Sequence, residues 1–436
     1  MSTPNTSDPI ATRLRVIEAD INAGQMGAAT RALNALLAEA PDDPRGYLTA
    51  ARHAQAAKKP AQEIDALERA VGVAPAWWPA YAELAKALAR QERPAQALAA
   101  AEAAVKLAPA EMGALEIAVA VANAVGDPAT AKRHLETALA LRPGDIGIRR
   151  ALGIALERLR RYEESIVQWR AILAAVPEDV SALGWLGLCL LALDRKSEAC
   201  AVLERAMELN PDHTNLAFHL AVARGETPAT QPVGLVQQLF DEYANRFDLH
   251  LEGALKYRVP KRVAEIIRAR HPALDVSILD LGCGTGLLGA QLGRISGAFV
   301  GVDLSRNMLE KAKRLDVYTR LRLNELTAEL AEIAADSFDY VVANDVFIYV
   351  GDLTDVIPAA MRVLRPGGRL IFSCETAQES EGALVLRPSK RYAHSLGSVE
   401  QICHSAGARN CTAETIDLRL DGDIGVIDGF VFSAEK

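Results

Sequence analysis

The sequence predicts a chain in two parts, an all-α repeat array followed by an α/β domain on a largely parallel sheet. Three observations predict it. Prolines stand at positions 41, 75, 109, 143, 177 and 211, each 34 residues after the last. From Val233 onward, strand-like apolar runs alternate with helical stretches. Within that second half, Ile278–Gly286 reads Ile-Leu-Asp-Leu-Gly-Cys-Gly-Thr-Gly, an apolar strand running into three glycines and then an apolar helix. With 436 residues the chain exceeds one ordinary core, which agrees with this division.

The repeat columns support the helical reading. Ala70 recurs as Ala104, Ala138, Ile172 and Ala206, and Ala97 recurs as Ala131, Ser165 and Ala199. Small residues at fixed offsets let paired helices approach closely, and a proline closes the second helix of each pair. A 34-residue period of this kind resembles the tetratricopeptide repeat (TPR). Six units span about 10–213, with a looser pattern in the first two, where Glu63 occupies a small-residue column. Asn215–Arg224 reads as a capping helix. The resemblance implies a TPR solenoid with a concave groove for a protein or peptide. Such an array can also serve assembly, pairing with another copy to give a homodimer. The two-Lys, one-Asn clamp of chaperone-binding arrays is not evident.

Composition limits the remaining possibilities. Half of the residues are hydrophobic, so the chain is globular. A net charge of −8 without a block of basic residues argues against general nucleic-acid binding, which depends on phosphate neutralisation. Six scattered cysteines lack zinc-site spacing, so no metal is expected. The polar start, Met1 to Asp8, has no secretory pattern, and no run of 18 apolar residues exists, so neither membrane attachment nor export is expected and the location expected is cytoplasmic.

Boundaries follow from these patterns: the array with its cap over 1–225, a linker over 226–232 carrying Pro228 and Pro232, and the α/β domain over 233–436. In the α/β domain, strands are expected at Val276–Leu281, Ala298–Asp303, Phe338–Asn344 and Arg369–Cys374. Two further strands, Cys411–Leu418 and Val426–Ser433, form an antiparallel hairpin at the end. Ligands of such sheets lie beyond the carboxyl ends of the strands.

Glycines let a backbone approach a ligand closely, because no Cβ intervenes. Seventeen residues after Gly286, the second strand ends in Asp303, whose carboxylate can accept the hydroxyls of a ribose. The dinucleotide fingerprint is Gly-x-Gly-x-x-Gly; this chain has Gly-x-Gly-x-Gly with an acid two residues upstream. That form resembles motif I of class I S-adenosylmethionine (SAM)-dependent methyltransferases, and residues 233–436 look like such a Rossmann-like domain. Joined to the repeats, the chain resembles a bacterial family of TPR-containing methyltransferases.

The resemblance implies SAM as cofactor and a set of contacts. Asp280, Gly282 and Gly284 would face its methionine portion, with Cys283 and Gly286 shaping the loop. Asp303 would take the ribose hydroxyls, and Leu304 and Met308 would flank the adenine. Glu325 and Leu326 stand where the family has an acid for the adenine amino group. Asn344 would offer its carbonyl to the methionine amino group, with Asp345 just beyond. Upstream, Phe240–Asp248 resembles a helix that lids SAM in small-molecule methyltransferases; Tyr243 could supply a phenol there, since the usual tyrosine is Phe247.

SAM brings its own leaving group, so the protein positions the reactants and, where needed, removes a proton. Tyr392 and His394, in the segment Arg387–Ser395, are the first candidates for base or orienter, and Arg387 and Arg391 could hold an anionic acceptor. Asp345 and Glu375, at strand ends, are further candidates, then His250. Three functions stay open: methylation of an oxygen or nitrogen on a protein or peptide that the array recruits, methylation of a small molecule with the array used for assembly, and a TPR adaptor with a weakly active SAM-binding domain.

Overall fold

The computed structural model describes residues 8–243, 257–421 and 425–436, the side chains of Glu242, Tyr243 and Asp421 excepted. The chain forms two compact units, Met1–Asn210 and Pro211–Lys436.

The first unit is a series of antiparallel helix pairs: α1 (Pro9–Asn22) with α2 (Met26–Glu39), α3 (Pro44–Ala56) with α4 (Pro60–Val73), α5 (Trp78–Arg90) with α6 (Pro94–Leu107), α7 (Met112–Val125) with α8 (Pro128–Leu141), α9 (Ile146–Arg158) with α10 (Tyr162–Ala175), and α11 (Val180–Ala192) with α12 (Lys196–Leu209). Each periodic proline follows the residue that caps a second helix. That capping residue leaves helical geometry, with ψ of 65° at Ala40 and 68° at Ala74, because a following proline disfavours the helical region. Ala70, Ala97, Ala104, Ala131, Ala199 and Ala206 are fully buried, which is the close approach that their column implies. Glu63 is buried in its small-residue column, where Arg90 pairs with it. At Gly153 a Cβ would stand 2.7 Å from Trp169 Cζ2. Trp169 stacks on Trp185 at 5.8 Å and donates to Ser165 Oγ, and Ser165 donates to the Gly153 carbonyl.

A second 34-residue column is conformational. Gly24, Lys58, Glu92, Gly126, Arg160 and Asp194 all have positive φ, each in the turn between the two helices of a repeat.

The second unit begins with α13 (Thr214–Ala223), the helix expected as the cap. The expected linker is woven onto this unit rather than spanning open space. Thr230 bridges Val350, the Asp352 amide donates to the Ala229 carbonyl, and Gln231 Nε2 donates to the Lys390 carbonyl at 2.5 Å. Next come α14 (Val233–Tyr243), α15 (Val259–Arg270), β1 (Ile278–Leu281), α16 (Leu287–Leu292), β2 (Phe299–Asp303), α17 (Arg306–Arg314), β3 (Arg320–Leu323), α18 (Leu326–Glu332), β4 (Phe338–Ala343), α19 (Val356–Val363), β5 (Leu364–Thr376), β6 (Leu384–Leu386), β7 (Tyr392–His394), α20 (Leu396–Ser405), β8 (Arg409–Asp421) and β9 (Gly425–Glu435).

The sheet runs β3-β2-β1-β4-β5, all parallel, with β9 antiparallel beside β5 and β8 antiparallel beside β9. Its two faces are covered by separate apolar cores, one centred on Val341, Phe372 and Val356 and the other on Ile278, Val342 and Val263. Strand order reverses between β1 and β4, where a ligand crevice is expected. The segment Arg387–Ser395, read as a covering loop, includes strand β7, which pairs antiparallel with β6 and parallel with the end of β5.

Candidate active site

The Gly-rich turn forms because three positions need left-handed backbone: φ is +63° at Gly282, +55° at Gly284 and +90° at Gly286. Space demands glycine as well. A Cβ on Gly282 would stand 2.4 Å from Val346 Cγ2, so this turn lies against the tip of β4.

Asp303 holds the turn. Its Oδ2 accepts from the Gly284 amide and its Oδ1 from the Ser305 amide, both at 2.8 Å. Burial raises the Asp303 carboxyl to about 6 despite these donors. Asp280 is buried, and burial, reinforced by the charge of Asp303, raises it to about 7. Tyr318, which sequence reasoning missed, donates its hydroxyl to Asp280 Oδ2 at 2.8 Å. Cys283 is buried, and burial pushes its thiol well up.

Leu304 is half-buried beside Asp303 and Met308 is fully buried in α17. Glu325 caps α18: its Oε2 accepts from the amides of Thr327 and Ala328 at 2.8 and 2.9 Å. Leu326 starts that helix, half-buried. Asn344 Oδ1 is buried just past the end of β4 and has no hydrogen-bond donor among the described residues. Helix α14 reaches the same edge: Asp241 Oδ1 accepts from Ser305 Oγ at 2.6 Å, and Phe240 packs edge-on against Tyr349. The side chain of Tyr243, with Phe247 and His250, lies outside the described residues.

The first candidates for a base lie in the interior. Tyr392 is fully buried, its hydroxyl donates to the Pro228 carbonyl at 2.7 Å, and burial raises it to about 12. His394 is buried as well; Nε2 donates to the Gly351 carbonyl at 2.8 Å, and burial lowers the ring's basicity. Both act as ties between the β7 strand and its neighbours. Arg387 is taken up by Glu381, which accepts two of its bonds and is thereby lowered to about 2.

Asp345 differs. It sits two residues after the end of β4 at φ +54°, a strained conformation for a non-glycine residue and one frequent at functional sites. Arg419, also missed from sequence, bonds both Asp345 and Glu375 and is itself buried. It lies one residue beyond the strand expected at Cys411–Leu418, and a single arginine there gave no signal.

Comparison with known proteins fits this geometry. The family model described as methyltransferase domain matches residues 279–372, and tetratricopeptide-repeat models match 121–169 and 150–214. The second unit carries a methyltransferase domain, and the first is a tetratricopeptide-repeat array. Among similar proteins is the ubiquinone biosynthesis O-methyltransferase of Hydrogenovibrio crunogenus, 32% identical over 28% of this chain and 51% of that enzyme. The human mitochondrial enzyme of the same description is 36% identical over 23% of this chain and 29% of its own length. The chain thus matches about half of the first relative and under a third of the second. Among solved structures, YrrB, a TPR protein, aligns over 43% of this chain and 96% of its own with a TM-score of 0.37 and 19% identity. Magnesium protoporphyrin IX methyltransferase from Synechocystis aligns over 47% and 99% with a TM-score of 0.37 and 17% identity.

The cofactor of this methyltransferase domain is SAM, and the site's chemistry fits it. The Gly-rich turn has left-handed backbone that a Cβ would disfavour, Asn344 Oδ1 is a buried acceptor without a donor among the described residues, and Asp280 and Asp303 are buried carboxyls whose ionised form a cationic ligand would favour.

Proposed function

We propose that the chain is a SAM-dependent methyltransferase acting on an oxygen or nitrogen nucleophile, with the repeat array recruiting a protein or peptide that is its substrate or partner. The observation that carries the enzymatic part is the convergence of Asp280, the Gly282–Gly286 turn, Asp303 and Asn344, whose Oδ1 lacks a donor among the described residues, at the point where strand order reverses. The O-methyltransferase relatives favour an oxygen acceptor. In this reading Asn344 and Asp280 orient the methionine end, Asp303 fixes the turn and accepts from the ribose, and Glu325 and Met308 bound the adenine. When bound, SAM supplies an activated methyl group and its own leaving group. Asp345, although Ser373 and Arg419 bond its two oxygens, is in this reading the carboxylate that takes a proton from the acceptor, since Tyr392 and His394 are more deeply buried.

A second reading, a small-molecule acceptor with the array used for assembly, is favoured by α14. Its Asp241–Ser305 and Phe240–Tyr349 contacts set a helix over the cofactor edge, which narrows the entry. The experiment incubates methyl-labelled SAM and the full chain with lysate from cells lacking the gene. Label on a discrete polypeptide supports recruitment. Label in a soluble metabolite supports the second reading. Label in neither fraction overturns the transferase proposal.

A further inference from the structure

Resting on the reading that the Gly282–Gly286 turn holds SAM, we propose that Asp345 is the residue by which the site distinguishes the charged cofactor from its neutral product, S-adenosylhomocysteine (SAH). The two ligands share adenine, ribose, carboxylate and ammonium. They differ by one methyl group and the positive charge of the sulfonium. A residue that separates them electrostatically must be charged, fixed and on the ligand side of the crevice.

Asp345 meets these conditions. It follows Asn344 directly, and the next residue, Val346, is the one that a Cβ on Gly282 would strike. Its amide donates to Ser373 Oγ at 2.8 Å, and the same hydroxyl donates back to Asp345 Oδ1 at 2.8 Å. This closed pair holds the residue at positive φ. Behind it, a register shift in β8 between Asp417 and Arg419 breaks the strand alternation, so Leu418 and Arg419 are both buried. Irregularities of this kind re-aim side chains. Here the irregularity accompanies a guanidinium set between Asp345 and Glu375. The Arg419 and Glu375 side chains are 4% and 7% exposed, whereas that of Asp345 is 14% exposed. The cation therefore lies on the protein side and the carboxylate on the open side.

Other charged or titratable groups around the cluster are Tyr257, Tyr349, Cys374 and Arg391, from four different segments. Arg391 also lies near Glu375, so Glu375 has two cationic neighbours, and Asp345 is the carboxylate on the open side for which a sulfonium is a suitable counterion. Ser373, Glu375 and Arg419 lie outside the matched segment 279–372, whereas Asp345 lies inside it.

The test is titration calorimetry on the full chain with SAM, SAH and a SAM analogue carrying a primary ammonium in place of the methylsulfonium. Asp345→Asn keeps the shape and the Ser373 contact, and leaves Arg419 paired with Glu375. It is expected to weaken SAM and the ammonium analogue on the order of tenfold, with SAH changed less than about twofold. Ser373→Ala, which frees the carboxylate without removing its charge, should lower the same preference about threefold. Asp303→Asn should weaken all three ligands alike, because the ribose is common to them. Equal loss for SAM and SAH in Asp345→Asn, or loss for neither, overturns the inference while the cofactor reading stands. A wild-type chain that binds neither ligand overturns both.

Discussion

The amide of Gly284 donates to Asp303 Oδ2 at 2.8 Å, so the carboxylate that ends β2 fixes the turn that follows β1. One side chain thereby shapes the cradle and, in the proposed function, receives the ribose. Asp303→Ala should cost at least tenfold in SAM affinity, since a charge-assisted hydrogen bond contributes about 1.5–3 kcal/mol. Asp303→Asn keeps one acceptor oxygen and should cost less. Calorimetry on both variants measures the difference, and an unchanged affinity in Asp303→Ala would remove the cofactor assignment.

Asp280 and Asp303, raised to about 7 and about 6, set a pH dependence. In the unfolded chain both carboxyls titrate near pH 4. Between there and pH 7 these two groups bind more protons in the folded state, so their contribution to stability falls as pH rises through that window. A cationic ligand favours the ionised carboxylates, so SAM affinity should rise from pH 5.5 to 7.5. Buried His219 and His394, whose basicity burial lowers, act on the melt with the opposite sign, so the stability half is read as the difference in melting temperature between wild type and Asp280→Asn across this range, and calorimetry reads the affinity half.

Much of the fold was legible, because its signals are periodic. The prolines and small-residue columns gave the helix pairs, and the strand–glycine–helix stretch gave the cofactor end. What escaped was set by contacts distant in sequence. Strand β3, Arg320–Leu323, alternates arginine and leucine at a half-exposed edge and has little apolar signal. Tyr318 and Arg419 enter the site only through the fold, from 38 and 74 residues away from their partners Asp280 and Asp345. Tyr392 and His394 had the chemistry of a base, but the weaving of Pro228–Gln231 over β7 places them in the interior.

The array's packing makes a comparative prediction. Alanine gains about 1 kcal/mol over glycine in a helix interior, and overpacking costs about 1–3 kcal/mol. At Gly153 the new methyl would meet Trp169, which is held by its stack on Trp185 and its bond to Ser165. At Gly187 it would stand 2.6 Å from Cγ and Cδ2 of Leu203, which is fully buried. Both substitutions should therefore destabilise, and Gly187→Ala, with the closer contact, should lower the melting temperature at least as much. Chemical denaturation of the two variants decides the order.

Lys58, Glu92, Arg160 and Asp194 occupy left-handed turn positions that glycine fills in two other repeats. A left-handed residue with a Cβ costs about 1–2 kcal/mol, partly offset by the backbone entropy of glycine. Replacing each with glycine should stabilise the array by about 0.5 kcal/mol per site. A four-site variant with an unchanged or lower melting temperature would contradict this account.

Tyr392→Phe distinguishes a tie from a base. The substitution removes the donor to the Pro228 carbonyl, at a cost of about 1 kcal/mol, and leaves the ring packing intact. A structural hydroxyl predicts a lower melting temperature with SAM affinity and methyl-transfer rate within about twofold of wild type. A general base predicts the reverse, since such a group contributes about a hundredfold or more to rate while leaving stability nearly unchanged. His394→Gln provides the parallel case, because glutamine can still donate to the Gly351 carbonyl but cannot shuttle a proton as imidazole does. Loss of transfer in either variant, with an unchanged melt, would return the base to β7 and remove Asp345 from that role.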